Sequence, residues 1–312
     1  MPAERLDDPR KSTDAVVVGA GVVGASIAFE LSRSGRSVVV VDKGSAVGGG
    51  STGSSSSIVR HTYSTLDGVT LAWEATHAWL NWADHLGLAG TDPTEPLCTF
   101  HQIGMLHIDP PGRDLSTMLA NFAQVGVAYE QLGPEALAER FPVVETGRHW
   151  PPKLPIDPAF FDEPVDSVSG LFMPEAGFVD DPQLAAANLM DAARRHGAEV
   201  RLRTEVVAIR TEAGRTAGVE LADGSHLDAS IVVNAAGPWS SKLNAMAGVL
   251  DDMRITTTAL RQDVASTTPP PGFEVGNGGV MVGDIDLGAY FRPQPGGSML
   301  IGGVEAPCDP LV

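Results

Sequence analysis

Cysteine is nearly absent: Cys98 and Cys308 are the only two in 312 residues, which rules out a disulfide framework and points to a reducing, cytoplasmic setting. Long hydrophobic runs are missing too. The longest, such as residues 15–18 and 38–41, are strand-sized and far short of the ~20 residues that span a bilayer. The polar stretch 1–13 lacks an apolar core of signal-peptide length, so a disordered tail is expected there. Positive charge is scarce: 21 Lys and Arg stand against 39 Asp and Glu, a formal net charge of −18. With no basic stripe to offset it, that balance excludes nucleic acid and an anionic membrane as partners. Metal clusters are lacking as well, since His101 and His107 share an expected strand but have neither ligand spacing nor further ligands. No internal repeat is visible. What remains, 43% hydrophobic and 19% charged residues, suits a globular enzyme with room for two domains.

The most informative segment present is Gly19-Ala20-Gly21-Val22-Val23-Gly24. Its context predicts a buried strand at 15–18, then a helix with Val23, Ile27 and Leu31 on one face and Gly35 as its stop, then a buried strand at 37–41. Asp42 closes the second strand 18 residues after Gly24. In such a unit Gly19 permits the tight turn, Gly21 lets a pyrophosphate approach the backbone, and Gly24 lets the helix pack close to the strand. The helix N-terminus offers unpaired N–H groups and a positive dipole end. A carboxylate at 42 would accept hydrogen bonds from a ribose diol. The competing reading is a nucleotide-free unit whose glycines only make turns.

The loop 44–57 is almost wholly glycine and serine. Composition alone allows a linker, but its position directly after Asp42 favours a loop that contacts ligand. Residues 49–53 match Gly-x-Ser-x-Gly without the helix that a hydrolase nucleophile turn requires. Further on, Leu71, Ala75, Ala78, Trp82 and Leu86 predict the packed face of one helix over 68–86, and 99–108 predicts a strand. Prolines crowd 142–174 and mark irregular structure. Asp181-Pro182 reads as an N-cap and first helical residue, with Gly197 ending that helix. Strands are expected at 199–203, 206–210, 217–221 and 225–227, the last two joined by the turn Asp223-Gly224, then a buried strand at 231–237. Pro238 and Trp239 open a helix through Leu243 and Met246. The fold class is therefore α/β with an α+β substrate part. A discontinuous Rossmann-like domain takes 14–75 and 175–250, and a mixed-sheet second domain takes 76–174 and 251–312.

Several segments together resemble the D-amino-acid oxidase superfamily of FAD-dependent oxidoreductases, in its sarcosine oxidase and dimethylglycine dehydrogenase branch. They are 14–42, Ser57-Ile58-Val59-Arg60-His61-Thr62-Tyr63, Phe172-Met173-Pro174-Glu175-Ala176-Gly177 and Thr204-Glu205-Val206. Val232-Val233-Asn234-Ala235-Ala236-Gly237-Pro238-Trp239, Tyr290-Phe291-Arg292-Pro293 and Leu300-Ile301-Gly302-Gly303 complete the set. The resemblance implies FAD as cofactor. Gly19, Ala20, Gly21, Val22, Val23 and Gly24 would hold its pyrophosphate, Asp42 and Lys43 would stand at the adenosine ribose, and Gly50, Ser51, Ser55 and Ser56 would line the loop towards the flavin. Val206 would meet adenine through its backbone, while Ala236, Gly237 and Trp239 would close over the dinucleotide.

For catalysis, the resemblance implies that Arg60 pairs with a substrate carboxylate, a task suited to a planar guanidinium; the competing reading is a surface ion pair. His61 is either a group near the flavin that polarises it or a packed loop histidine. The implied reaction oxidises the C–N bond of a small amino acid or N-methylated amine by hydride transfer to flavin N5, giving an imine that water hydrolyses. Electrons would then pass to oxygen or to an acceptor protein. A nicotinamide-dependent dehydrogenase is a further alternative, disfavoured by the 48–57 loop and the 234–239 strand end. Family members continue past the 300–303 strand into a further segment with a second cationic substrate contact, whereas this chain stops at Val312. A C-terminally incomplete member is thus expected, and with it a second reading: a flavin-binding subunit that needs a partner chain.

Overall fold

Uninterrupted apolar strands need cover on both faces, and the valines of 15–18 and 38–41 find it at the centre of a sheet. The computed structural model describes residues 11–90, 95–110 and 112–304. The chain opens with β1 (Ser12–Val18), α1 (Val22–Arg33), β2 (Val38–Val41), β3 (Ile58–Val59), α2 (Leu66–Leu80) and α3 (Trp82–His85). There follow β4 (Phe100–His101), β5 (Met105–Ile108), α4 (Ser116–Val125), β6 (Glu130–Leu132) and α5 (Pro134–Arg140). Strands β7 (Gly170–Met173) and β8 (Gly177–Val179) lead to α6 (Pro182–Arg195). Then come β9 (Glu199–Arg201), β10 (Val206–Glu212), β11 (Arg215–Leu221), β12 (His226–Asn234) and α7 (Ser240–Met246). The last strands are β13 (Val264–Thr267), β14 (Met281–Asp284), β15 (Ala289–Gln294) and β16 (Ser298–Gly303).

The chain divides into two compact units, Met1–Ser55 with Leu86–Cys98 and Asp181–Ala259, and Ser56–His85 with Thr99–Asp180 and Leu260–Val312. These units break at other residues than the 75, 174 and 250 read from the sequence, because β3 pairs with β8 and so joins the second unit. Of the expected tail, 1–10 lies outside the described residues, while Ser12 and Thr13 are paired in β1 with Asp228 and Ala229.

In the first unit a six-stranded sheet runs β10-β11-β12-β1-β2-β9. Strands β12, β1, β2 and β9 are parallel, and β10, β11 and β12 form an antiparallel meander. Val16, Val17 and all four valines of β2 are 0% exposed, and each such side chain contributes about 1.5–3 kcal/mol before conformational entropy is counted. Helix α1 does not bury the Val23 face; Val23 is 61% exposed. Its buried residues are Gly24, Ala25, Ala28, Phe29 and Ser32. The small ones admit α6, whose own buried face includes Ala185, Ala186, Ala192 and Ala193. Close helix packing, rather than side-chain hydrophobicity, selects the face. Asp181 caps α6 by accepting from Leu184 N at 2.8 Å. The strands expected separately at 225–227 and 231–237 are one strand, β12, which pairs antiparallel with β11 and parallel with β1. Its end is also less covered than expected, with Ile231 36% exposed.

In the second unit a seven-stranded sheet runs β13-β16-β15-β14-β5-β7-β6, and a three-stranded sheet runs β3-β8-β4. Alternation along the larger sheet separates two faces. Leu106, Ile108, Phe172, Val282 and Phe291 belong to one core, and Met105, Leu171, Met173 and Met281 to another with Val69, Phe122 and Phe178. The expected strand at 99–108 is broken, because Gly104 takes φ +77 with the Phe172 ring 2.6 Å from where a Cβ would lie. His101 and His107 therefore stand in different sheets. The helix expected over 68–86 is also two: the Asn81 side chain bonds back to His77 O at 2.9 Å and closes α2. Leu71, expected to pack, is 68% exposed. Val69 and Thr76 are the buried residues of α2.

Candidate functional site

The glycine turn of the first unit is tightened from three sides. Gly19 has φ +116, and a Cβ there would lie 2.2 Å from Ala235 O. At Gly24 a Cβ would fall 1.9 Å from Gly19 O and 3.3 Å from Ala235 Cβ. Those two glycines are required by the turn's own packing against the end of β12. Gly21 differs: a Cβ would meet only Thr52 Oγ1, at 3.0 Å. It is the glycine whose absent side chain leaves room for something other than the sheet.

The backbone donors of the turn are partly engaged. Ala20 N gives its hydrogen bond to Asp42 Oδ2 at 2.7 Å, and Gly44 N gives one to Oδ1 at 2.6 Å. Val22 N donates to Thr52 Oγ1 at 3.0 Å. Asp42 therefore also ties the end of β2 to the turn. A carboxylate has about four lone-pair sites, so this half-buried group can still accept from a diol. The remaining amides at the start of α1 have no intrahelical acceptor by helix geometry, and they face anions favourably.

The 44–57 loop is pinned rather than slack. Gly48 N donates to Ala20 O at 2.8 Å and Gly53 N to Gly48 O at 2.7 Å, while Gln183 Nε2 reaches Val47 O at 3.2 Å. A Cβ on Gly48 would lie 3.1 Å from Ala186, so the loop is small-residued because it packs on α6. Gly50 and Ser51 are exposed within it, as is Ser55, and Ser56 is half-buried. No helix follows Ser51.

Lys43 places its Nζ 4.9 Å from the centre of the Trp239 ring, so two residues expected around one dinucleotide are brought together. Gly237 takes φ +56, and Ala236 N is ordered by Asn234 Oδ1 at 3.2 Å. Val206 is 8% exposed and packs in the core of this sheet. Residues 203 and 204 bond back to Gly44 O and Asp42 O, both at 2.8 Å. These features fit an FAD dinucleotide half: a glycine turn with room at Gly21, uncommitted first-turn amides, and an acid with spare lone pairs beside it.

In the second unit Arg60 is half-buried and follows β3. Its Nη1 donates to Thr62 O at 2.5 Å and to Thr62 Oγ1 at 2.6 Å, and its Cζ lies 4.9 Å from the Tyr63 ring centre. Among the described residues it makes no ion pair. His61 is 0% exposed, with Nε2 3.1 Å from Thr76 Oγ1. Burial lowers its pKa against the opposing pull of Glu175, so it is neutral near pH 7. Its Nδ1 is buried without a hydrogen-bond partner among the described residues. The Nε2 contact explains why Thr76, a polar residue, is buried.

Sequence reasoning missed Thr52, Thr62 and above all Arg292. Arg292 lies in β15, 2% exposed, with Nε and Nη1 buried and without hydrogen-bond partners among the described residues. The signal that could have marked it is parity: Tyr290 and Arg292 share the strand face opposite Phe291. Two cavities of about 240 and 210 Å³ are lined by Asp286 with His149 and Lys153, and by Asp284 with apolar residues. Neither is lined by Arg60 or Arg292.

Known proteins share this architecture. L-proline dehydrogenase from P. horikoshii superposes with a TM-score of 0.72 at 23% identity, over 96% of this chain and 72% of that one. Human mitochondrial dimethylglycine dehydrogenase is 23% identical over 76% of this chain and 24% of its own length. Sarcosine oxidase subunit beta of Rhodobacter capsulatus is 25% identical over 95% of this chain and 65% of its own. The chain thus spans about a quarter to two thirds of these curated relatives. Residues 14–310 match the model of DAO, FAD dependent oxidoreductase, and the chain belongs to that family.

Proposed function

We propose that the chain, loaded with FAD, oxidises the C–N bond of a small amino acid or N-methylated amine of the sarcosine, dimethylglycine or D-amino-acid kind. Family membership supports the redox class, and the names of the two curated relatives motivate the substrate class. The observation that carries the reading to this chain is the state of Arg60. It is pre-oriented by Thr62 and Tyr63 yet has no acidic partner among the described residues, which leaves donors for a carboxylate. FAD, when bound, supplies the two-electron acceptor. In the first unit the Gly19–Gly24 turn, with the amides of Val23 and Gly24 left over at the start of α1, would hold its pyrophosphate, and Asp42 and Lys43 the ribose. Gly50, Ser51, Ser55 and Ser56 would border it, with Val206, Ala236, Gly237 and Trp239 on the adenosine side. Arg60 orients the substrate and so turns a bimolecular encounter into a positioned one.

The test is flavin reduction followed by absorbance without oxygen, against N-methylglycine, N,N-dimethylglycine, D-alanine and, as control, a hydroxy acid lacking nitrogen. Bleaching by an amine and not by the control is expected. Bleaching by the hydroxy acid alone would sink the C–N assignment. Flavin that binds but stays oxidised with every compound favours a second reading, a flavin-binding chain that works only with a partner subunit; the name of the Rhodobacter relative motivates it.

A further inference from the structure

At the end of β14 and in the turn that follows stand two buried acids, Asp284 at 4% and Asp286 at 1% exposed. Asp286 Oδ2 accepts from His149 N at 2.6 Å, whereas Oδ1 is buried without a hydrogen-bond partner among the described residues. An uncharged acceptor would serve one backbone N–H; a buried carboxylate needs a cation or further donors to offset its lost hydration. The turn adds a second acid instead, and Asp286 opposes the ionisation of Asp284. The Asp286 side chain walls the cavity of about 240 Å³ together with His149, Pro152, Lys153, Phe160 and Leu287. Lys153 Nζ donates to His149 O at 3.0 Å and to Pro151 O at 3.2 Å, which leaves one of its N–H donors over. No ion pair joins it to Asp286 among the described residues. The His149 backbone thus holds both walls, its N–H on Asp286 and its C=O on Lys153, and keeps an acceptor and a donor apart across one space. A water takes about 30 Å³, so a lone bridging water would leave most of that space empty. Phe160 is 44% exposed, which brings the cavity to the surface at the turn Pro158–Phe161. The neighbouring cavity, which shares Leu287, is lined by Val282, Phe291 and Met299 and lies on the sheet face opposite Arg292.

We infer that Asp286 and Lys153 bind the two ends of a small zwitterion, an organic ammonium that also carries an anionic group, at a site separate from the one assigned to the oxidised amine. The ammonium supplies the donors that Asp286 Oδ1 lacks, and the anionic end takes the spare Lys153 donor. A simple cation would be repelled by Lys153 and a simple anion by Asp286, so either alone meets one repulsion for one attraction. The carbon between the two ends packs on Pro152, Phe160 and Leu287. Neither Arg60 nor Arg292 lines this cavity.

The FAD-loaded chain and its Asp286→Asn, Lys153→Met and Arg60→Lys variants are titrated by calorimetry with β-alanine, ethylamine and propionate, which offer both charges, the cation alone and the anion alone. β-Alanine is expected to bind the parent protein saturably, about tenfold or more tightly than either of the others. Asp286→Asn keeps an acceptor for His149 N and should weaken β-alanine by about tenfold or more, in line with a lost charge-assisted hydrogen bond. Lys153→Met should weaken it too, and Arg60→Lys should leave it unchanged. Equal β-alanine affinity in the parent and Asp286→Asn overturns the inference. So does the lack of saturable binding to the parent, the result of a cavity filled by water. Should Asp286→Asn fail to fold, Lys153→Met on the other wall decides, and an unchanged affinity there is equally fatal. Ethylamine bound as tightly as β-alanine removes the zwitterion. Affinity lost in Arg60→Lys but kept in Asp286→Asn assigns β-alanine to the substrate site and ends the case for a second one. Binding that depends on Asp286, with no flavin reduction by any amine, keeps this site and removes the oxidation.

Discussion

At Gly21 and Gly24 one residue type serves two purposes, and substitution separates them. A Cβ at Gly24 would meet backbone at 1.9 Å, so Gly24→Val is expected to abolish soluble, folded protein. At Gly21 the only near atom is the Thr52 hydroxyl at 3.0 Å. Gly21→Val should therefore fold, with an unchanged circular dichroism spectrum, and lose FAD on gel filtration. A Gly21→Val protein that retains stoichiometric flavin would remove the pyrophosphate role. Arg60 gives a second prediction on this scale. Lysine cannot reproduce both the Thr62 clamp and the stacking on Tyr63, so Arg60→Lys should raise KM for an amino-acid substrate by about tenfold or more, in line with a lost charge-assisted hydrogen bond. Steady-state kinetics showing an unaltered KM would contradict the carboxylate role.

Among the elements, α6 is defined most completely by local chemistry. Asp181 accepts from Leu184 N, Pro182 fills the first helical position, and Gly197 with φ +89 ends the run. Asp181→Ala should cost about 1 kcal/mol, the ordinary worth of an N-cap, visible as a lower midpoint in urea with the slope unchanged. A cost near zero would mean that the Asp181 bond is already compensated by solvent. Legibility at this scale follows the range of the interactions. The glycine turn, the α6 caps and the Asp223-Gly224 turn are local, and they stand where the sequence puts them. The faces of α1 and α2 are not local. Val23 and Leu71 looked like packing residues, yet the opposing helix admits Ala25 and Ala28 in α1, and buried His61 claims Thr76 in α2.

For the whole molecule, one contribution to the pH dependence of stability comes from Asp284, the last residue of β14. Burial raises its pKa from 3.8 to about 6, with Asp286 adding repulsion. The folded state holds this proton more tightly than the unfolded chain, so the contribution is favourable at low pH. It is lost as pH rises from about 4 through about 6. The difference is on the order of 3 kcal/mol from this group. Asp284→Asn retains an acceptor for Leu287 N, which donates to Oδ1 at 2.9 Å. It should melt higher than the parent at pH 8, by a margin that shrinks as pH falls towards 4. A variant less stable at pH 8 would show that the carboxylate is stabilised by something the turn does not account for.

The sequence by itself determined the α/β class, the strand, turn and helix that hold Asp42 beside Gly19–Gly24, and the family, because these depend on periodicity and on residues within a few tens of positions of one another. The tertiary structure alone decided which helix faces are buried, that β12 is one strand serving two sheet neighbours, and that His61 is packed away and neutral. It also decided that Arg292 lies under Phe178 without an acceptor. Burial and partner loss are properties of segments far apart in the chain that meet only on folding, and no local pattern carries them.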